Sequence, residues 1–173
     1  MQQYHDNEWG IPTHDDDLLF EYLCLEGAQA GLSWHSILSR RERYREVFDG
    51  FHIDTLANST PNVDALMADS GIIRNRAKIL SVYANARAAR SLRQTFGSLN
   101  SYLWHFVGGA TVVNRPNAHD DIPPFTETST QMSRALREQN FNFVGPTICY
   151  AFMQATGMVD DHLADCFRTV PPR

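Results

Sequence analysis

With 173 residues, 43% of them hydrophobic and 20% charged, the sequence has the make-up of one ordinary globular domain that can bury a core without disulfide staples. No run approaches the roughly 18 apolar residues of a membrane-spanning helix. No basic-then-apolar leader opens the sequence and its three cysteines are scattered, so a cytoplasmic, monomeric protein with no membrane partner is expected.

Periodicity is helical almost everywhere, which makes the class all-α. Asp15-Asp16-Asp17 supplies an N-cap and first-turn negative charge for a helix running to about Ala30, with Leu19, Leu23 and Ala30 on one stripe. Gly31 stops it. Ser33 caps a second helix through Trp34, Ile37, Leu38, Tyr44, Val47 and Phe48, which Gly50 ends. Thr60-Pro61 opens a short helix over Val63, Leu66 and Met67 that stops at Gly71, and a long one follows from about Arg74 to Gln94. Ser98 caps another, through Leu99, Tyr102, Leu103 and Phe106. Residues 108–126 read as a loop with at most a short extended piece. Residues 129–139 are helical, Pro146 opens a helix ending at Gly157, and a last helical turn or two around residues 160–167 precedes a Pro-rich tail.

The net charge of -5 hides an asymmetry. Residues 70–119 contain no Asp or Glu but carry Arg74, Arg76, Lys78, Arg87, Arg90, Arg93 and Arg115. All cations but Lys78 are arginines, which suits bidentate phosphate contact, although a solvated helix face is the plainer alternative.

Three groups of residues could carry chemistry. Around Gly71, a short helix, a glycine turn with φ > 0 and a basic helix make a helical hairpin. Its free N–H groups would form an anion site, and Arg74, Arg76 and Lys78 add full charges where a phosphate would sit. Second, Glu26 falls seven residues after Leu19 and three after Leu23, inside the apolar stripe. It is either a salt-bridged or solvent-reaching helix-end Glu or, with Gly27, Ala28, Gly31 and Trp34 near it, part of a carboxylate-and-aromatic pocket for a flat, electron-poor ring. Third, His162 and Cys166 stand at i, i+4 on one helix face, a spacing zinc uses and chance also produces. Asp161 reads as a cap.

Tyr4-His5-Asp6-Asn7-Glu8-Trp9-Gly10, Cys24-Leu25-Glu26-Gly27, Gln29-Ala30-Gly31-Leu32-Ser33-Trp34, Gly71-Ile72-Ile73-Arg74, Phe143-Val144-Gly145-Pro146-Thr147-Ile148-Cys149-Tyr150, and His162 with Cys166 together carry a resemblance. The sequence resembles the 3-methyladenine DNA glycosylase I family of the helix-hairpin-helix superfamily, over residues 4–166. The resemblance implies one glycosylase domain over residues 1–173, with the hairpin at about 61–94. It also implies a small zinc-linked subdomain joining terminal segments at about 1–10 and 158–170. The expected enzyme hydrolyses the N-glycosidic bond of 3-methyladenine in alkylated double-stranded DNA, releasing free base and leaving an abasic site. Tyr4, Glu26 and Trp34 would line the base pocket, with Glu26 catalytic. Gln29, Gly31 and Leu32 would fill the gap left by the extruded nucleotide, and Gly71, Ile73, Arg74 and Arg76 would face the DNA backbone. His5, His162 and Cys166 would hold a structural Zn²⁺.

The superfamily's usual catalytic Asp is absent after the hairpin, since no acid follows Gly71 until Asp120. The family's fourth zinc ligand, a Cys before the Tyr-His pair, is also absent from this sequence. Cys24 and Cys149 sit in helical core runs and do not replace it. Two other readings remain: a lesion-binding protein without catalysis, if a missing N-terminal segment disables the pocket, and a zinc-containing module whose arginines bind RNA or an acidic partner.

Overall fold

The computed structural model describes residues 1–169, so Val170, at the end of the expected 158–170 segment, and the Pro-rich tail lie outside the described residues. Ten α-helices are described: α1 Gln2–Asn7, α2 Asp16–Gln29, α3 Trp34–Leu38, α4 Arg41–Val47, α5 Ile53–Asn58, α6 Val63–Ala68, α7 Arg76–Phe96, α8 Leu99–Trp104, α9 Glu127–Glu138 and α10 Pro146–Ala155.

The centre is α2. Every residue from position 19 to 28 is buried, so this helix has no polar stripe and is enclosed on all sides. α7 and α10 pack on it, and α3 and α8 close its remaining flanks. The three aspartates before it do more than start it. Asp15 caps its own helix at the Leu18 amide (2.8 Å), while Asp17 accepts from the Ile53 amide (3.0 Å) that opens α5. Asp16 accepts from the Leu99 and Asn100 amides (3.1 and 2.8 Å) that open α8. One tripeptide therefore caps three helices.

The expected helix from Trp34 to Phe48 is two helices. A continuing helix would bond the Arg40 amide to the Ser36 carbonyl. That carbonyl instead accepts from the Arg40 guanidinium (2.7 Å), and the Arg40 amide bonds the Ile37 carbonyl (2.9 Å). Beyond the break, Arg41 is buried.

Ser33, Ser98 and Pro146 open their helices as expected. α9 starts earlier than expected, under a Thr126–Ser129 capping box. The expected helical turns over residues 160–167 are not helix. The chain there leaves a two-residue strand, β2 Val159–Asp160, which pairs in parallel with β1 Val112–Val113. The pairing continues through the Asn114 amide to the Asp160 carbonyl (3.1 Å) and the Ala164 amide to the Pro116 carbonyl (2.9 Å). These bonds pin residues 161–164 beside the 114–117 segment.

Candidate functional site

α1, the end of α2, the start of α3, α10, the 119–122 segment and the segment after β2 line a cavity of about 750 Å³, whose walls include Tyr4, Glu26, Trp34, Asp161, His162 and Cys166. It has room for a flat heterocycle. Tyr4, Glu26 and Trp34 are thus brought together in a cavity whose walls also include His5 and Cys166.

α2 buries two glutamates, and they are treated differently. Glu21 is 4% exposed and paired to both Arg41 and Arg45. Arg41 also bonds Glu8, lies over the Tyr22 ring at 4.9 Å, and so fastens the end of α1 to α2. Tyr22 completes the group by donating to Glu8 (2.8 Å). Glu26 is equally buried at 4% and has no hydrogen-bond or ion-pair partner among the described residues. Burial alone pushes its carboxyl up to about 8 from the ordinary 4.5, so it is mostly protonated in the empty cavity at neutral pH. The salt-bridged alternative for Glu26 is therefore not what the fold contains.

Tyr4 is buried beside it. Desolvation, and then the Glu26 charge, hold its hydroxyl far above the phenol range, so Tyr4 stays neutral. Its ring centroid is 5.6 Å from that of Trp34 at 53°. The two rings cannot both lie face-on to one planar ligand: one stacks and the other meets it at an angle. Trp34 Nε1 is buried with no partner among the described residues and remains a free donor.

Along the same cavity wall, the donor atoms of His5, His162 and Cys166 all lie within 4.8 Å of one another. They meet without the helix expected for the last two. The strand pairing, not a helical i, i+4 face, places His162, and the chain curls back to bring Cys166 Sγ to 3.7 Å from His5 Nε2. Each histidine has its Nδ1 beside a carboxylate, His5 at 2.8 Å from Asp6 and His162 at 2.7 Å from Asp160. That leaves both Nε2 atoms for the shared centre. His162 Nε2 is buried and unpartnered among the described residues. Two imidazoles oriented by carboxylates and one thiol are a donor set that fits a divalent transition metal. Gly10 belongs to this cluster, because a Cβ there would come to 2.7 Å from His162 Cε1. Cys24 and Cys149 are buried in α2 and α10, away from the centre.

The hairpin differs from expectation in its details. Gly71 does not adopt positive φ. It is needed because a Cβ would come within 2.5 Å of Arg43 Cγ and 3.0 Å of Asp69 Oδ1. The Gly71 amide donates to Asp69 (2.7 Å) and the Ile73 amide to the Tyr44 hydroxyl (3.1 Å), so both already have internal acceptors. Arg74 and Arg76 are exposed, with Arg76 only loosely near Asp64 at 3.7 Å. Lys78 is not on that face. Its ammonium turns inward to the Ala28 and Ala30 carbonyls (2.8 and 2.7 Å). The acid-free window is also less free than its sequence implies, since Arg93 pairs with Asp54 and Arg115 with Asp160.

Residues 29–32 form a closed turn at the end of α2. The Leu32 amide bonds the Gln29 carbonyl, the Gln29 side chain bonds the Leu32 carbonyl, both at 2.6 Å, and Gly31 takes φ +78°. Leu32 is 40% exposed, and Gln29, at the other end of the turn, is part of the cavity wall.

Sequence reading missed Arg41, Glu8 and the Asp161 node. Asp161 is no cap: it accepts from Tyr150 (2.6 Å), Gln154 (2.7 Å) and Asn114 (2.6 Å) and forms part of the cavity wall. A second acid, Glu21, inside the same apolar run was the available signal for the Arg41 group.

The family model described as methyladenine glycosylase matches residues 1–169. A DNA-3-methyladenine glycosylase of Haemophilus influenzae is 45% identical over 164 residues, 94% of this chain and 89% of that one. DNA-3-methyladenine glycosylase 1 of Escherichia coli K12 is 44% identical over 164 residues, 94% of this chain and 88% of that one. Among solved structures, one described as the structural basis of 3-methyladenine recognition by 3-methyladenine DNA glycosylase I from Staphylococcus aureus superposes with a TM-score of 0.95. It is 34% identical and covers 99% of this chain and 92% of that one. With the same fold and a family match over all described residues, this chain belongs to the methyladenine glycosylase family.

Proposed function

We propose that this chain excises 3-methyladenine from alkylated DNA by hydrolysis of the N-glycosidic bond, as a monofunctional base-excision repair enzyme. The observation that carries the reading is Glu26, a buried carboxyl without a partner in the wall of an aromatic cavity. An N3-methylated adenine in DNA bears a positive charge, and a cation is what such a carboxyl lacks. Water attacks C1′, the C1′–N9 bond breaks, and its electron pair neutralises the charge on the departing base. The water proton passes to solvent. Since the base is already a good leaving group, no strong acid is required, in keeping with the missing hairpin Asp. Tyr4 and Trp34 contact the cationic ring, one face-on, contributing ~0.5–2 kcal/mol. Glu26 ionises as the cation enters and accepts from the exocyclic amine. A neutral adenine offers Glu26 no charge to pair with.

The reaction stops at the abasic site. Lys78 is the only lysine, and its ammonium is engaged by two carbonyls, so no lysine is free for a Schiff-base lyase step. DNA docks on the hairpin: Arg74, Arg76 and the amides opening α7 meet phosphate, while Gly71 and Ile73 shape the turn. The 29–32 turn, with Gln29, Gly31 and Leu32, fills the gap in the duplex. Lesion binding without excision is the weaker reading, because Tyr4, Glu26 and Trp34 form one cavity in this chain.

Methylated duplex tests both parts. Wild type releases free 3-methyladenine and prefers abasic duplex to single-stranded RNA. Arg74→Ala and Arg76→Ala weaken duplex binding whatever the lesion, and each lowers the salt slope by about one. No base release would sink the enzyme reading, and unchanged binding in both variants would place docking elsewhere.

His5, His162 and Cys166 would hold zinc, which when bound supplies a structural cross-link between the terminal segments and no chemistry at C1′. Asp6 and Asp160 orient the two imidazoles. Elemental analysis of purified protein should give at most one zinc per chain, lost on His162→Ala. Metal retained by that variant would remove His162 from the ligand set.

A further inference from the structure

Lys78 has a location that neither phosphate binding nor base recognition explains. It lies four residues after Arg74 and two after Arg76, in the first turn of α7, yet its side chain leaves that face. Its ammonium spans to the C-terminal end of α2 and donates to two carbonyls there, Ala28 (2.8 Å) and Ala30 (2.7 Å). The last carbonyls of a helix have no partner within it, and the dipole places negative charge at that end, so a cation is suited to both needs. What is held is specific. Glu26 is two residues before Ala28, and Ala30 is inside the 29–32 turn, whose Gln29 lines the cavity and whose Leu32 is exposed. Burial depresses the Lys78 pKa, as expected for an ammonium drawn off the surface.

We infer that Lys78 is a positioning residue, and not a phosphate contact: it couples the hairpin that grips DNA to the turn that enters the duplex. The inference rests on the hairpin docking described under the proposed function. A phosphate drawn onto Arg74, Arg76 and the α7 amides fixes the first turn of α7. Lys78, in that same turn, then fixes the end of α2. Force applied at the backbone is thereby carried to the 29–32 turn through two hydrogen bonds of a single side chain. Without them, DNA would still be bound and the base cavity would still exist, but the turn would not be held in register with the hairpin while the nucleotide is extruded.

The test compares Lys78→Met, which keeps the aliphatic stem and drops the ammonium, with Lys78→Arg, which can still donate to both carbonyls. Each is measured by thermal melt, by undamaged-duplex affinity across a salt series, by abasic-duplex affinity, by free 3-methyladenine titration and by single-turnover excision. Lys78→Met is expected to keep undamaged-duplex affinity, its salt slope and free-base affinity. It should lose its preference for abasic duplex and slow about tenfold to a hundredfold in excision, the scale on which small misplacements act. Lys78→Arg should recover most of that rate. A salt slope lower by about one in Lys78→Met would show a phosphate contact and overturn the inference. A lower melting point with excision and abasic preference intact would show a purely structural tie and overturn it as well. So would loss of free-base affinity with abasic preference retained, which would make Lys78 a prop for Glu26 alone. The hairpin reading fails separately, through unchanged duplex binding in both Arg74→Ala and Arg76→Ala, and would take this inference with it.

Discussion

Glu26→Gln should melt higher than wild type at neutral and alkaline pH and yet lose most of its excision. Its folded carboxyl sits at about 8, well above the 4.5 of an exposed one. As pH rises between those values the unfolded chain ionises while the folded chain keeps its proton, so the stabilising contribution present below the lower value drains away through the upper one. Each pH unit in that window corresponds to ~1.4 kcal/mol, and the neutral amide escapes the loss. Gln should therefore add about 1–3 kcal/mol at pH 7 and nothing at pH 4. Activity moves the other way. Excision of the cationic base should fall by a factor worth about 1–3 kcal/mol, the scale of a hydrogen bond to a charged group, while affinity for the neutral free 3-methyladenine falls by ~1 kcal/mol or less, the scale of an ordinary hydrogen bond. In wild type, kcat/KM rises with pH toward about 8 as Glu26 ionises in the free enzyme, and this limb should be missing from Glu26→Gln. Abasic-duplex affinity should hardly change. A variant that melts lower but excises normally would make Glu26 a structural residue.

Arg41→Met should be the most destabilising single change outside the apolar core. It leaves Glu21, which is 4% exposed, with Arg45 alone, and removes the only arginine among the described residues that reaches Glu8. Breaking a buried pair from one side costs about 3–5 kcal/mol, and the low end applies because Arg45 still reaches Glu21 at 2.9 Å. Adding Glu21→Gln and Glu8→Gln should recover much of the loss, since it is the stranded charge that destabilises. Denaturant titration of the single and triple variants measures both. A loss below about 1 kcal/mol would mean that the group is solvated like a surface pair. Because Glu8 closes α1, the single variant should also loosen Tyr4 and raise KM more than it lowers kcat.

What the sequence made legible was local. Ser33 and Ser98 cap helices three residues from themselves, Pro146 opens one as its first residue, and Glu26 betrays itself by standing in an apolar run. What it concealed depended on partners far along the chain. α5 has no cap of its own because Asp17 caps it from 36 residues away. The break after α3 needed the Arg40 guanidinium to take a carbonyl from its own amide, a competition that periodicity does not register. His162 reached its place through two residues of β1, too short to show alternation, so a helical spacing was inferred where a strand pair acts. Lys78 was read with its arginine neighbours because charge counts carry no direction. The family motifs pointed to Tyr4 and His5, which spacing alone could not tie to Glu26, Trp34, His162 and Cys166, and all six line one cavity.

The cavity walls have a consequence for how the protein is made. They include positions 4 and 5, 26 and 34, 151 and 154, and, last, 161–163, 165 and 166. A ribosome delivers these in order, and the last group emerges when almost all of the described chain has been translated. Until then α2 is out and can be covered, but the side of the cavity formed by Asp161, His162 and Cys166 does not exist. A nascent chain therefore passes most of its synthesis with Glu26 facing an unfinished cleft, and cannot act on a base before the final segment docks against β1.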